Sequence, residues 1–203
     1  SLQDALAGID AALDCDFDPV KVNAVAVRSL HQDYLAFARM SIDRSLHMRF
    51  IEYMPVGDSA GINGCGWGSE EVITCDEIRH QIDEAAVAQG YEALVPLNRG
   101  EEPSGAGPAR YWKFPGAQGT VGFISPLSNH FCSSCNRVRV TAEGGISPCL
   151  FSDTEYSVRE ALRNGTDDAV RRVLMEAVGA KPEAHHEGDH ARATKTNMNA
   201  IGG

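Results

Sequence analysis

The run Val-Lys-Val-Asn-Ala-Val-Ala-Val, residues 20–27, decides the fold together with the two segments after it: a mixed stretch over 31–44, then His-Met-Arg-Phe-Ile-Glu-Tyr, residues 47–53. The first run is short, rich in valine and introduced by Pro19, which predicts a strand. Tyr34, Leu35, Phe37, Ala38 and Ile42 recur among polar residues at helical spacing, and the third run reads as a second strand stopped by Met54-Pro55. Upstream, Leu2, Leu6, Ile9 and Leu13 behind Ser1 predict an amphipathic, capped helix. Helix, strand, helix, strand with short links is the grammar of an α/β fold with a parallel sheet or barrel. A helix at residue 2 calls for a strand before it, and two parallel strands neither close a barrel nor bury both faces. The grammar therefore predicts a partner for the sheet upstream of Ser1, and the opening Ser-Leu-Gln-Asp reads as a cut within a regular pattern.

Downstream, residues 55–72 form a glycine-rich loop with Gly57, Gly61, Gly64, Gly66 and Gly68, followed by a predicted helix over 76–89. Beyond the Gly/Pro/Ser stretch 99–108 the texture changes to short strands: Tyr111–Phe114, Val121–Ser125, Arg137–Thr141 and Ile146–Phe151, with a tight turn at Glu143-Gly144-Gly145. Helices are expected over 155–163 and 167–178, before a polar tail from Lys181 to Gly203. Two parts are expected, 1–98 and 99–203.

Composition narrows the partners. The 203 residues are 43% hydrophobic and 23% charged, with no apolar run of the roughly 20 residues that a bilayer span needs. Eighteen Lys and Arg against 28 Asp and Glu give a net charge of −10. Such a chain repels polyanions as a whole, which argues against nucleic acid as a partner and requires any anionic ligand to meet a local cationic spot. Six cysteines are too sparse for a disulfide scaffold, and no signal-like start is visible, so a reducing, cytosol-like compartment is expected.

Cys132, Cys135 and Cys149 stand as C-x2-C-x13-C, the third just beyond the predicted turn. The short spacing makes a knuckle and a hairpin returns the third thiol. With His130 as a fourth ligand the set suits zinc. As three thiolates it suits a [4Fe-4S] cluster with one open iron, and unliganded thiols are the third option. Cys15, Cys65 and Cys75 are scattered and read as small hydrophobes. Arg137 and Arg139 alternate with Val138 and Val140, which puts both guanidiniums on one strand face, as edge protection or as an anchor for phosphate or carboxylate. Lys21 shares a face with Asn23, and Arg49 with His47 and Ile51. Cations in such apolar strands need a carboxylate, Glu52 being one choice, or a polyanionic ligand. His185, His186 and His190 read as part of a solvated tail.

The segment His130-Phe131-Cys132-Ser133-Ser134-Cys135-Asn136-Arg137-Val138-Arg139-Val140-Thr141, with Pro148-Cys149-Leu150-Phe151, resembles the carboxyl-terminal cluster motif of the GTP 3',8-cyclase family of molybdenum cofactor biosynthesis. Val20-Lys21-Val22-Asn23, Met48 to Pro55, Gly122-Phe123-Ile124-Ser125-Pro126 and Met198 to Gly203 fall in the family's order too. The resemblance implies a radical S-adenosylmethionine lyase on an incomplete TIM-type barrel, followed here by a small antiparallel β region and C-terminal helices. It implies two [4Fe-4S] clusters, one for radical generation and one that binds substrate. By the same resemblance Cys132, Cys135 and Cys149 hold the substrate cluster, Lys21, Arg49, Arg137 and Arg139 contact GTP with Val138 beside them, and Met54 touches S-adenosylmethionine. The Gly202-Gly203 tail reaches toward the active site. The family's amino-terminal C-x3-C-x2-C motif occurs nowhere in these residues. The expected partners are therefore GTP, S-adenosylmethionine, the missing amino-terminal half of the barrel and a second copy in a homodimer, in the cytoplasm or, in a eukaryote, the mitochondrial matrix. The chain alone is expected to be inactive. A zinc- or cluster-stabilised nucleotide-binding or regulatory module is the alternative.

Overall fold

Ser1 opens helix α1 (Leu2–Asp14) with a reciprocal cap, its hydroxyl accepting from the Asp4 N–H while the Asp4 carboxylate reaches back to the Ser1 backbone. The computed structural model describes residues 1–15, 17–55, 67–98, 100–105, 107–152 and 154–184. They divide into two units, Ser1–Tyr53 with Glu71–His130, and Met54–Glu70 with Phe131–Gly203.

In the first unit β1 (Val20–Ala26), α2 (Tyr34–Arg39), β2 (Leu46–Glu52) and α3 (Cys75–Ala88) follow the predicted order. α2 is shorter than its periodic pattern, because residues 40–45 turn to bring the chain back to the sheet. α3 starts on a second capping box, Thr74 with Glu77. β3 (Val95–Pro96), β4 (Arg110–Lys113) and β5 (Thr120–Ile124) complete a sheet of order β1-β2-β5-β4-β3. β1, β2 and β5 run parallel, and β4 and β3 add antiparallel to β5.

The fold is thus mixed α/β, as expected, but the described sheet is open, with β1 and β3 as edges, and forms no TIM-type barrel. The strands expected at 111–114 and 121–125 lie in this sheet, β5 pairing directly with β2. Local pattern shows a strand but not its neighbour, and the two-residue β3 carries no periodicity to read.

β2 is central and paired along both edges; its Leu46, Met48, Phe50 and Glu52 face is buried, while Arg49 and Ile51 on the other face are half-buried. Met48 and Phe50 pack with Val121 and Phe123 against Tyr34, Leu35 and Ala38 of α2 and Ile78, Ile82 and Ala86 of α3. Phe50 stacks on Phe123 at 5.8 Å and meets the Tyr34 ring edge-on at 5.6 Å. The helices thus cover the face of Met48 and Phe50. Lys21, His47 and Arg49 have the opposite parity and occupy the other face.

In the second unit β6 (Arg139–Val140), β7 (Gly145–Ser147) and β8 (Tyr156–Ser157) make a three-stranded antiparallel sheet, followed by α4 (Arg159–Asn164) and α5 (Asp167–Gly179). Ile146, Val158 and Ala177 form its small core. The sequence predicts a helix from 155, but Tyr156 and Ser157 pair with Ile146 and Gly145, and helix begins only at Arg159. No helix among the described residues is long and apolar enough to cross a membrane.

Candidate functional site

The uncovered face of the first sheet is built in two rows, fixed by register. Lys21 stands beside His47, His47 beside Thr120, and two residues along, Asn23 beside Arg49 and Arg49 beside Gly122. Gly122 pairs in turn with Tyr111. The Arg49 Nε donates to Asn23 Oδ1 at 2.7 Å, so the second row is tied across β1 and β2. The Lys21 ammonium donates to the Ser104 carbonyl. A Cβ at Gly122 would stand 2.8 Å from the Tyr111 ring and 3.0 Å from the Arg49 stem. Glycine here leaves room for both side chains over the sheet.

Electrostatics on this face are those of crowded cations. Burial and the Arg49 guanidinium hold the Lys21 ammonium below its usual range. His47, 8% exposed, shares a 2.9 Å hydrogen bond between Nδ1 and the Thr120 hydroxyl. Its imidazole is held below its ordinary value by burial first, then by Lys21, Arg49 and Lys113, against the opposing pull of Asp18.

Glu52 does not answer these cations. It shares parity with Met48 and Phe50, is 0% exposed, and accepts from the backbone N–H groups of Cys75 at 2.9 Å and of Leu127 and Ser128 at 3.0 Å each. The Ser128 hydroxyl adds a further hydrogen bond. The carboxylate thus ties the first turn of α3 and the loop after β5 to the end of β2. The parity of Glu52 relative to Arg49 was readable in the sequence, but its backbone partners were not.

On the helix side a cleft of about 310 Å³ is lined by Cys75, Arg79, Arg110, Trp112, Ser125 and Asn129 among others. Its guanidiniums are engaged, Arg79 by Asp83 at 3.2 Å and Arg110 by Asn129 at 3.4 Å. Burial pushes the Cys75 thiol up to about 12, which leaves it a neutral core group.

In the second unit Cys132–Ser134 form a single 3-10 turn, the Cys135 N–H donating to the Cys132 carbonyl at 3.1 Å. Beyond it Arg139 pairs with Ser147 and Val140 with Ile146, and the turn between them closes on Gly144, whose φ of +82° suits glycine. Lys181 extends this clasp past the paired residues, donating to the Arg137 carbonyl at 2.7 Å and the Pro148 carbonyl at 2.9 Å. Cys149 is thereby held near the start of β6. Nothing in the sequence pattern distinguished Lys181 from the tail it opens.

Arg139 is half-buried while Arg137 is exposed, and Val138 and Val140 are 39% and 54% exposed. Burial and the Arg137 charge lower the Arg139 guanidinium, while Cys149 and Cys135 oppose them. Cys132, Cys135 and Cys149 are half-buried and in no disulfide. Soft thiolates beside two guanidiniums are the donor chemistry of a thiolate-held metal or cluster. Among the described residues, however, no three His, Cys, Asp or Glu side chains are gathered into a metal-holding group.

The residues singled out in the sequence thus fall into two sets, Lys21 and Arg49 in the first unit and Cys132, Cys135, Arg137, Val138, Arg139 and Cys149 in the second. Met54 is half-buried just after β2. Cys15 is exposed. Cys65, His185, His186, His190, Gly202 and Gly203 lie outside the described residues.

The family described as Molybdenum Cofactor Synthesis C matches residues 46–187. The GTP 3',8-cyclase of Pelotomaculum thermopropionicum is 38% identical over 205 residues, covering 100% of this chain and 59% of the relative. The GTP 3',8-cyclase of Heliobacterium modesticaldum is 40% identical over 207 residues with the same coverage, and that of Syntrophomonas wolfei is 37% identical over 195 residues, covering 95% and 56%. The chain spans less than 60% of the length of these curated relatives.

Proposed function

The chain belongs to the Molybdenum Cofactor Synthesis C family, and from that premise we propose that it supplies the substrate side of a GTP 3',8-cyclase, a lyase that converts GTP by a radical route to (8S)-3',8-cyclo-7,8-dihydroguanosine 5'-triphosphate. In this reading Cys132, Cys135 and Cys149 hold a [4Fe-4S] cluster, whose open iron would bind the guanine. Arg137 and Arg139, with the backbone of Val138, receive GTP beside it. Lys21 and Arg49 take the triphosphate, about four negative charges that a chain of net −10 must meet with concentrated positive charge. Met54 contacts S-adenosylmethionine, and Gly202 and Gly203 reach toward the reacting centre. S-adenosylmethionine cleavage at a second [4Fe-4S] cluster would fall to the complete enzyme, so this chain by itself binds without turning over. β1 and β2 are its share of a radical S-adenosylmethionine barrel within residues 1–98, and residues 99–203, which add β5 to the same sheet, are the cluster and GTP region.

The observation that carries the proposal is the half-buried Arg139, within electrostatic reach of Arg137 and of the thiols of Cys135 and Cys149. A guanidinium there would balance the negative charge of a thiolate-held cluster and suits the oxyanion of a ligand bound beside it. The three thiols fit a cluster in donor chemistry, and assembly has to gather them. Anaerobic reconstitution is expected to load about four irons and four sulfides per chain. Cys149→Ala should abolish loading, and Cys75→Ala, which alters only a buried neutral thiol, should leave the iron content unchanged. One zinc and no sulfide per chain, in protein isolated without oxygen, would overturn the proposal.

A further inference from the structure

The first row on the uncovered sheet face extends one strand beyond Lys21, His47 and Thr120. β4 pairs with β5 through Arg110 with Phe123, Tyr111 with Gly122 and Trp112 with Val121. The next step of that register sets Lys113 beside Thr120. Trp112 packs edge-on against Phe123 at 5.2 Å on the helix side, so Tyr111 and Lys113 turn to the opposite face. Four side chains, Lys21, His47, Thr120 and Lys113, therefore stand in one line across β1, β2, β5 and β4, spanning about 14 Å at the usual strand spacing. Arg49 and Tyr111 lie in the adjoining row, admitted by Gly122.

The charges on this line do not balance. His47 is faced by Lys21 from β1, Arg49 from β2 and Lys113 from β4, with Asp18 ahead of β1 as the opposing carboxylate. Among the described residues Lys113 has no carboxylate partner, and Lys21 is held by a carbonyl rather than an acid. Three cations acting on one almost buried imidazole give this line an excess of positive charge that an anion would balance. A polyanion would also oppose the share of the His47 depression that the cations cause, and both Lys stems are long and flexible enough to close on it.

We propose that the line Lys21, His47, Thr120, Lys113 is one polyphosphate seat, that Lys113 is its third cation beside Lys21 and Arg49, and that His47 takes up a proton when the polyphosphate lands. Applied to GTP, this rests on the cyclase reading; the seat itself rests on the register and the charges. Linkage gives the sign: a group whose protonated form is favoured in the complex makes affinity rise as pH falls through its value in the complex, and level off below its value in the free chain.

The test is calorimetry on the full chain with two probes, inorganic triphosphate and GTP, in two buffers of different ionisation enthalpy near pH 7. Lys113→Met is expected to weaken triphosphate binding about tenfold, and Lys113→Arg to restore it. The unsubstituted chain should take up more protons than His47→Gln, by up to about one per bound triphosphate. Histidine ring NMR on the unsubstituted chain reads the same event without a variant, through a shift of one imidazole toward its protonated position on adding triphosphate at constant pH. Unchanged affinity in Lys113→Met, or no imidazole shift on binding, would overturn the inference. GTP binding that ignores Lys113 sinks the seat and leaves the cyclase reading standing. Triphosphate binding that depends on Lys113, with no gain from the guanosine, keeps the seat and counts against the cyclase reading.

Discussion

Two single side chains carry much of the physical argument. The Glu52 carboxylate is fully buried with no cation partner among the described residues, compensated by three backbone N–H groups and a hydroxyl. Removing it strands those donors, so Glu52→Ala should cost about 3 kcal/mol, read from the urea midpoint at constant slope. His47 gives a pH signature. Its folded-state value lies below the ordinary 6.5, so the folded chain binds fewer protons than the unfolded one at mildly acid pH. Stability from this residue is therefore intact above 6.5 and is lost as pH falls from there toward the depressed value. Thermal melts from pH 8 to 5 should show that loss in the unsubstituted chain and less of it in His47→Gln. Strand parity made the cationic set Lys21, His47 and Arg49 legible in the sequence. What holds Glu52 instead was not, because its backbone partners come from segments 23 and 75 residues away.

At the scale of elements, β1, β2, α3 and α5 were readable because each carries its own period or caps. β8 reads as helix in the sequence because two residues hold no pattern, and only pairing with β7 makes them a strand. β4 and β5 are legible as strands, but their place beside β2 follows from long-range pairing, and so the role of Lys113 was hidden. Gly122→Val tests that assembly, since the new side chain would collide with Tyr111 and Arg49. It should weaken triphosphate binding at least about tenfold, as a displaced charged hydrogen bond does, while circular dichroism shows the fold retained. In the second unit Lys181 holds the segments that carry Arg137 and Cys149 together by two carbonyls. Lys181→Met should speed iron loss from the reconstituted chain to a chelator by about tenfold, the equivalent of one such charged hydrogen bond.

For the molecule as a whole, an acidic chain concentrates positive charge in two places, one on the open face of a mixed sheet and one beside three thiols. The net charge of −10 made such concentration a requirement for any anionic ligand, and the register and the β6–β7 turn show how each is built. The central claim is that the thiols and the arginines serve one ligand. The most direct test is electron paramagnetic resonance of the reduced, reconstituted chain with and without GTP, in the unsubstituted protein and in Arg139→Met. The account predicts a saturable change in the cluster signal on adding GTP and a weaker one, requiring more nucleotide, in Arg139→Met. An iron-loaded chain whose signal is identical with and without saturating GTP would contradict it.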